Sequence, residues 1–275
     1  MKSLLGSNEF SQAEQQFMDS NKVVLHTPSY ILRRRMILYL LRRYEPGNFL
    51  EVGCGRGDLL PHLARLGFEG VGLEISPEVL PLAKEAIRLY EHKLSIVADE
   101  DVLKAQLFRY VFAFEVLEHI RDDAAALVDW RKWLAPGGRL IITVPAHMKS
   151  WTASDDAVGH YRRYEHDALC RLLEDCGYMI EVFWCYGFPL TALTRRVRPF
   201  IYRSQSKDFH SKSQQDRTLH SSLESTLDHS RFGLVVRCMG SVMEGIGFTF
   251  HLSQLPFRRL DIGDGYIVAC RVAAC

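Results

Sequence analysis

The feature that most restricts the fold of this chain is a glycine-rich turn between an apolar segment and a predicted helix. Residues 51–57 read Glu-Val-Gly-Cys-Gly-Arg-Gly and overlap the end of the apolar segment Phe49–Val52. Alternating glycines let the backbone turn sharply and approach a ligand closely, because no Cβ atom intervenes. In open α/β sheets, ligands bind where the strand order reverses, beside turns of this kind. The turn therefore predicts a ligand crevice at the end of the first strand.

Apolar strands and amphipathic helices alternate along the chain. The predicted strands are Phe49–Val52, Gly70–Ile75, Leu94–Ala98, Tyr110–Val116, Arg139–Val144, Met179–Cys185 and Gly265–Val272. The predicted helices are Ser29–Tyr44, Asp58–Leu66, a segment that begins at Ser76, Asp122–Leu134 and His166–Cys176. Strands that alternate with helices at this spacing predict an α/β fold with a parallel sheet and right-handed crossovers.

The sequence divides into four predicted regions. Residues 1–47 form an N-terminal helical segment, 48–186 the core, 187–250 a helical and mobile insertion, and 251–275 the last strands of the core. Within the insertion, Arg203–Ser230 has eight serines in 28 residues and almost no large apolar side chains. Such a composition buries little surface. We expect this segment to be a substrate lid, with a solvated linker as the alternative.

The first predicted helix carries five arginines among its apolar residues. They are Arg33, Arg34, Arg35, Arg42 and Arg43. We favour a helix that packs on the sheet and keeps its basic face in solvent. A basic helix that lies on a membrane surface is the alternative.

Composition excludes several classes of protein. The net charge of +1 over 275 residues provides no overall field that would attract nucleic acid. Seven cysteines, an odd number with no C-x-x-C pair, argue against a zinc site or a disulfide framework. No apolar run reaches the roughly 18 residues that a membrane span needs, and the polar N-terminus is unlike a signal peptide. We expect a cytoplasmic protein with a small-molecule partner, no nucleic acid and at most peripheral membrane contact; no sequence feature indicates an oligomeric state.

The glycine turn favours a cationic ligand over a dinucleotide. A dinucleotide-binding turn has its third glycine where this chain has Asp58, and the glycine falls one residue earlier, at Gly57. Glu51 would repel a pyrophosphate but would suit a cation such as S-adenosylmethionine, which carries an ammonium, a sulfonium and no phosphate. Glu74 lies 21 residues after Gly53, at the end of the second strand, where an acid accepts hydrogen bonds from ribose hydroxyls.

Five segments resemble successive motifs of the class I S-adenosylmethionine-dependent methyltransferases. They are FLEVGCGRG, GLEIS, VADED, FEVLEHI and LAPGGRLIITVP. The resemblance covers roughly residues 30–185 and implies a Rossmann-like, seven-stranded, mostly parallel sheet with helices on both faces. It also implies that the last strand is antiparallel and inserts beside the sixth. FEVLEHI followed by GHYRRY is similar to the branch that acts on small molecules, including quinone precursors and cell-envelope or secondary-metabolite intermediates.

The same resemblance implies a set of residues around S-adenosylmethionine, with S-adenosylhomocysteine as the product. The set is Glu51, Gly53, Cys54, Gly55, Gly57, Glu74, Ile75, Asp99, Glu100, Glu115, Val116, Leu117 and His119. Residues 53–57 would line the amino-acid end, Glu74 would bind the ribose, Asp99 and Glu100 would lie by the adenine, and residues 115–117 would border the methionine moiety. From the residues alone, Asp99 has a capping role as an alternative, and Cys54 contributes only its small size.

Substrate chemistry is expected at the ends of the fourth and fifth strands. A hydroxyl nucleophile needs a general base, whereas a neutral amine does not. The candidate catalytic residues are His147, His160 and Tyr161, and the candidate substrate contacts are Trp151, Tyr161, Arg162 and Tyr164. The alternatives are a surface charge for Arg162 and a packing role for Tyr164.

The acids after the fourth strand are compatible with a cation site or with a simpler role at a helix N-terminus. Its ligands would be Glu118, His119, Asp122 and Asp123. Acids at the start of a helix stabilise its N-terminus, so we expect no metal.

The predicted function is the transfer of a methyl group to an O or N nucleophile of a small-molecule, natural-product or cell-envelope intermediate. A non-catalytic adaptor that binds S-adenosylmethionine is one alternative. A nicotinamide-dependent reductase is another, which Asp58 and Glu51 disfavour.

Overall fold

A computed structural model describes residues 27–104, 106–191, 245 and 247–273. Within these residues, seven strands form one sheet. They are β1 (Asn48–Val52), β2 (Glu69–Leu73), β3 (Leu94–Val97), β4 (Phe108–Phe114), β5 (Leu134–Pro145), β6 (Tyr178–Tyr186) and β7 (Gly265–Val272). The strand order is β3-β2-β1-β4-β5-β7-β6. Strands β1 to β5 pair in parallel, and β7 is antiparallel to both β5 and β6, which confirms the predicted fold.

The helices lie on both faces of this sheet. They are α1 (Pro28–Leu41), α2 (Leu60–Arg65), α3 (Leu80–Ile87), α4 (Asp123–Trp130), α5 (Ala153–Val158) and α6 (His166–Asp175). Short 3-10 turns span Arg88–Tyr90, Glu100–Leu103, Leu117–His119, Arg131–Trp133, Met148–Ser150 and Leu255–Phe257. Helix α1 begins one residue before its predicted start, because Thr27 caps its N-terminus and Pro28 occupies the first helical position.

The core has two layers because neighbouring residues of each strand point to opposite faces. Phe49 packs with Met36 and Leu63 on the side of α1, α2 and α3. Leu50 packs with Leu127 and Leu169 on the side of α4 and α6. A large apolar side chain that is fully buried in this way contributes about 1.5–3 kcal/mol.

Two predicted boundaries were wrong around the fourth helix and fifth strand. The helix expected over Asp122–Leu134 ends at Trp130, and β5 begins at Leu134 rather than Arg139. The early start of β5 depends on Gly138. A Cβ atom at this position would lie 2.8 Å from the carbonyl oxygen of Ala135 and 3.1 Å from that of Phe108. A glycine usually read as a loop signal therefore allows two backbones to approach closely.

The expected solvated basic face of α1 was also wrong. Arg34 is buried, and Arg33 forms an ion pair with Glu115 at 3.0 Å. The physical reason is that α1 is covered on both sides, by the sheet and by the helical segment 247–254. A Cβ atom on Gly247 would lie 2.4 Å from Ile31 Cγ2, and the Gln254 side chain donates to the carbonyl oxygen of Leu32 at 3.4 Å.

The predicted lid, Arg203–Ser230, lies outside the described residues, as does most of the predicted insertion. Among the residues that the structure describes, no helix combines the length and apolar character needed to cross a membrane.

Candidate functional site

The glycine turn lies at the carboxyl end of β1, between β1 and β4, where the strand order reverses. Gly53, Gly55 and Gly57 have φ angles of 62°, 55° and 72°. A Cβ atom on Gly53 would lie 2.9 Å from Val116 Cγ2, and one on Gly57 would lie 3.2 Å from the carbonyl oxygen of Ala83. A Cβ atom on Gly55 would meet nothing within 4 Å. The first and third glycines therefore allow close packing, while the second leaves open space above the turn.

Glu74 connects this turn to the end of β2. Its carboxylate accepts hydrogen bonds from the backbone N–H groups of Gly55 at 2.9 Å and Ser76 at 2.8 Å. Two carboxylate oxygens have about four acceptor sites, so these bonds orient Glu74 and leave capacity for a ligand. Beside it, the side chain of Ile75 is 74% exposed.

Glu51 is a buried acid beneath the same turn. It is 4% exposed, and its Oε2 atom makes no hydrogen bond to any described residue. Burial raises the pKa of Glu51 to about 8, and the negative charge of Asp58 adds to the shift. A buried oxygen without a partner is costly, so this position suits a ligand that brings a cation or a hydrogen-bond donor.

Two exposed acids follow β3. The Asp99 side chain accepts a hydrogen bond from the Asp101 N–H at 2.8 Å and caps the 3-10 turn Glu100–Leu103. Asp99 therefore makes the capping contact that is its alternative role, and Glu100 lies exposed within the capped turn.

The segment after β4 begins with a strained residue. Glu115 has a φ of 57°, unusual for a residue other than glycine. One carboxylate oxygen pairs with Arg33, and the other accepts a hydrogen bond from the Tyr186 hydroxyl at 3.0 Å. Val116 packs against the glycine turn, and the Leu117 side chain is fully buried. Sequence analysis missed Arg33, because helical periodicity alone assigned it to the solvent face.

A second group of polar side chains joins this segment to the loop around α5. His160 Nδ1 lies 3.0 Å from Asp155 Oδ1, and its Nε2 lies 3.8 Å from Glu118 Oε1. The ring of His119 meets that of His160 edge-on, with centroids 4.7 Å apart. We call these four residues the histidine cluster.

Arg163 contacts the histidine cluster through Asp155 and fixes the position of that carboxylate. It pairs with Asp155 at 2.8 Å and with Asp264 at 3.3 Å, and it donates to the carbonyl oxygen of Ala146 at 3.2 Å. Burial alone would raise the pKa of Asp155, but hydrogen bonds from His160 and Arg163 outweigh it and hold the pKa well below its usual range. Asp155 is therefore a permanent anion beside His160. Sequence analysis missed Asp155 and Arg163 because the signal is a contact between residues 8 positions apart.

The environment drives the pKa values of the other two cluster members in opposite directions. Burial, together with the charge of Glu115, raises the pKa of Glu118 well above its usual range. Burial lowers the pKa of His119 to about 4, and the neighbouring His160 adds to that effect. Neither carboxylate oxygen of Glu118 has a hydrogen-bond partner among the described residues. Acid and base groups with such separated pKa values are typical of proton-transfer sites.

The four residues of the alternative cation site do not lie together in the structure. Ligand atoms of Glu118, His119 and His160 lie within 4.8 Å of one another and could hold a cation. Asp122 instead caps α4 through the Ala125 N–H at 2.9 Å, and Asp123 pairs with Arg162.

The predicted substrate residues have different surroundings. Tyr161 is 42% exposed, and its N–H donates to the carbonyl oxygen of Glu118 at 2.9 Å. Trp151 Nε1 donates to Asp156 at 3.2 Å. Tyr164 is buried and donates to Asp123 at 2.9 Å, and Arg162 pairs with the same acid. These contacts favour the packing and charge-pairing alternatives for Tyr164 and Arg162.

His147 is not part of the histidine cluster. Its ring is 4% exposed, with Nδ1 3.3 Å from Glu165 Oε2 and Nε2 3.3 Å from Asp261 Oδ1. Its backbone has a φ of 62°.

Comparison with known proteins identifies the family. The sequence profile of a family described as a methyltransferase domain matches residues 25–181, more than half of the chain. The chain belongs to this methyltransferase-domain family. The matched residues include the glycine turn, the segment after β4 and the loop around α5, so the domain carries both halves of the site.

Curated relatives of this methyltransferase domain are ubiquinone biosynthesis O-methyltransferases. The protein from Xanthomonas axonopodis pv. citri is 30% identical over 122 residues, which are 42% of this chain and 51% of the relative. The protein from Cereibacter sphaeroides is 35% identical over 101 residues, which are 36% and 41% of the two chains. The chain therefore spans about half the length of the curated relatives it matches.

A solved structure shares the fold. A protein from Bacillus halodurans that is assigned as a methyltransferase aligns with a TM-score of 0.54 and 12% identity, over 87% of this chain and 99% of that one. At this identity the likeness shows the fold alone.

Proposed function

We propose that this methyltransferase domain transfers a methyl group from S-adenosylmethionine to a hydroxyl oxygen of a small molecule. The observation that carries the choice of oxygen is the buried Asp155–His160 pair beside the crevice. A hydroxyl has to lose its proton during methyl transfer, whereas a neutral amine attacks without a base. The O-methyltransferase names of the curated relatives support the same choice. The acceptor is a phenolic or other hydroxyl of a natural-product, quinone-type or cell-envelope intermediate.

The crevice suits the cofactor. Glu74 provides negative charge for a ligand that carries an ammonium and a sulfonium, Glu51 offers it a buried carboxyl oxygen without a partner, and the open space over Gly55 admits it. Glu74 retains acceptor capacity for ribose hydroxyls, and Ile75 offers an apolar surface for a flat base. Asp99 with Glu100 would lie by the adenine. Residues 115–117 and His119 would border the methionine moiety, with the Arg33–Glu115 pair behind them.

His160 is the proposed general base. Its Nδ1 faces a permanent anion, so the hydrogen-bond pattern assigns the ring proton to Nδ1 and leaves the Nε2 lone pair available. When bound, S-adenosylmethionine supplies the methyl group on a positively charged sulfur. His160 takes the hydroxyl proton at Nε2, and Asp155 stabilises the imidazolium that forms. The buried Glu118 and neutral His119 exclude water from this position.

The loop around α5 provides the proposed acceptor contacts. Tyr161 is exposed next to the histidine cluster, and Trp151 flanks the same loop. Both can pack against a flat acceptor and orient its hydroxyl. Since His147 lies in a separate group of side chains, the proposed base is His160 alone.

A paired set of histidine variants tests this proposal. His160→Gln should lower kcat by about 10²- to 10⁴-fold, the usual contribution of a general base, while S-adenosylhomocysteine affinity measured by calorimetry stays unchanged. His92→Gln is the control, because His92 is exposed and precedes β3, which is an edge strand of the sheet and does not contribute to the histidine cluster. Catechol and caffeate serve as probe acceptors with methyl-labelled S-adenosylmethionine.

Three outcomes would contradict the proposal at different levels. An unchanged kcat in the His160→Gln variant would show that His160 is not the general base. The argument that the methyl acceptor is an oxygen atom would then have no support from the structure. Binding of NADH without binding of S-adenosylhomocysteine would replace the methyltransferase with a reductase. Binding of the cofactor product with no transfer to any acceptor would favour the adaptor alternative.

A further inference from the structure

Three side chains from distant parts of the sequence meet beyond the ends of β5 and β6. His147 follows β5, Cys185 lies near the end of β6, and Asp261 precedes β7. Their ligand atoms lie within 4.8 Å of one another. Sequence analysis found no zinc signal because it searched for closely spaced cysteines, and these three residues have no short spacing.

The buried His147 ring has an atom that its protein surroundings do not satisfy. Glu165 Oε2 lies 3.3 Å from Nδ1, and the ring meets Tyr266 edge-on. The described residues provide no hydrogen bond to Nε2, although Asp261 Oδ1 lies 3.3 Å from it. A ring proton on Nδ1, towards Glu165, leaves a lone pair on Nε2 that faces the carboxylate oxygen. Two electron-rich atoms at this distance repel each other unless a proton or a metal cation lies between them.

The other two groups are also held in position. The Gly263 N–H donates to Cys185 Sγ at 3.1 Å, and the Tyr266 hydroxyl donates to Asp261 Oδ1. A Cβ atom at position 263 would lie 2.7 Å from the sulfur, so only glycine permits this approach. Outer hydrogen bonds to a ligating sulfur, carboxylate and imidazole are the usual support of a metal site.

We infer that His147, Cys185 and Asp261 form a binding site for a divalent transition metal, with zinc preferred. Imidazole nitrogen, thiolate sulfur and carboxylate oxygen are the ligands that zinc takes in proteins. In a tetrahedral zinc site with bonds of about 2.0–2.3 Å, ligand atoms lie roughly 3.3–3.6 Å apart. The observed separation of 3.3 Å between Nε2 and Oδ1 agrees with that geometry. On binding, the thiol releases its proton to solvent and the sulfur becomes the third ligand.

The site borders a cavity of about 300 Å³. Cys185 and Asp261 form part of its lining, together with Arg258, Arg259 and His166. Three protein ligands leave a fourth position for water or for an anionic group that enters the cavity. The metal joins the end of β6 to the start of β7 and so stabilises the antiparallel end of the sheet.

Cobalt substitution and zinc titration of the purified full-length chain, stripped of metal by a chelator, test the site. Cobalt should bind at one equivalent and show the near-ultraviolet charge-transfer absorption of a cobalt–thiolate bond. Zinc should raise the Tm of the wild-type chain, because a ligand that binds only the folded state stabilises it. Cys185→Ser should abolish the absorption and weaken zinc binding at least tenfold.

Cys176→Ser is the matched control, because Cys176 and Cys185 are both 6% exposed. This variant should keep both the absorption and the zinc affinity. Asp261→Asn preserves side-chain volume and should also weaken zinc binding. This variant tests the site if circular dichroism shows that Cys185→Ser is unfolded.

The proposal is overturned if the wild-type chain binds no zinc. It is equally overturned if cobalt binds without thiolate absorption, or if zinc affinity is unchanged in Cys185→Ser. The last two results would place the metal elsewhere, with Glu118, His119 and His160 as the alternative.

Discussion

The crevice at β1 and the histidine cluster are neighbouring parts of one site, but they are built in different ways. The crevice depends on backbone conformation: three glycines with positive φ angles and one acid that accepts two backbone N–H groups. The histidine cluster depends on charged side chains from separate segments, held by Asp155 and Arg163 in a buried position. The comparison teaches that the crevice is sensitive to substitutions that restrict the backbone at its glycines. The histidine cluster is instead sensitive to substitutions that remove one of its ionisable side chains.

The largest effect should follow from removing the buried anion of the histidine cluster. Asp155→Ala leaves Arg163 and His160 without their shared partner, and breaking a buried ion pair costs about 3–5 kcal/mol. The free energy of unfolding, measured by urea denaturation, should fall by that amount. The adjacent and exposed Asp156→Ala is the control and should cost less than about 1 kcal/mol. Equal losses in the two variants would mean that the cluster contributes nothing special to stability.

The second largest effect should follow from a substitution at a glycine of the crevice. Gly55→Val places a side chain in the open space above the turn, and we expect S-adenosylhomocysteine affinity to fall more than 100-fold, about 3 kcal/mol. Gly137→Val is a matched control, because Gly137 also has a positive φ, of 74°, and a Cβ atom there would also meet nothing within 4 Å. Both variants carry the same type of backbone strain. If Gly137→Val weakened binding as much, strain and not the position of the side chain would be the cause.

The pH dependence of the free energy of unfolding should show whether the buried acid of the crevice, Glu51, is protonated in the folded state. The folded-state pKa of Glu51, about 8, lies above its usual 4.5, so the folded state holds a proton that the unfolded state releases. Its contribution to stability is therefore full below a pH of about 4.5 and is lost as the pH rises through about 8. Glu51→Gln lacks this loss, so its stability relative to the wild type should rise with pH across that range, while it binds S-adenosylhomocysteine more weakly.

Urea denaturation of both proteins at several pH values measures the difference. A difference that stays constant with pH would show that Glu51 is ionised throughout and that the crevice is already wet in the absence of a ligand.

The smallest effect should come from the contact that links α1 to the segment after β4. Arg33→Met removes the ion pair with Glu115 but keeps much of the apolar stem, so stability should fall by about 1 kcal/mol. Arg42→Met is a control on the same helix's exposed end. A larger loss of cofactor affinity than of stability would assign Arg33 to the binding of the ligand, whereas parallel losses would assign it to packing alone.

Sequence analysis predicted the parts of this site that local chemistry determines. The glycine turn depends on residues within one strand–turn–helix unit, and the capping contact that is the alternative role of Asp99 joins residues two positions apart. Their conformations follow from glycine's freedom and from short-range hydrogen bonds, so a single sequence reveals them. The resemblance of consecutive motifs, and not local chemistry, predicted the antiparallel last strand.

Only the tertiary structure decided which charged groups are buried and which of them meet. Arg34 and Arg42 carry the same charge and belong to the same predicted helix, yet Arg34 is buried, Arg42 is exposed, and Arg33 pairs with Glu115. The Asp155–His160 pair and the meeting of His147 with Cys185 and Asp261 also arise from loops that converge at the carboxyl edge of the sheet. The physical reason is that burial and long-range contact set the pKa and the partner of an ionisable side chain. Neither quantity is a property of the residues next to it in the chain.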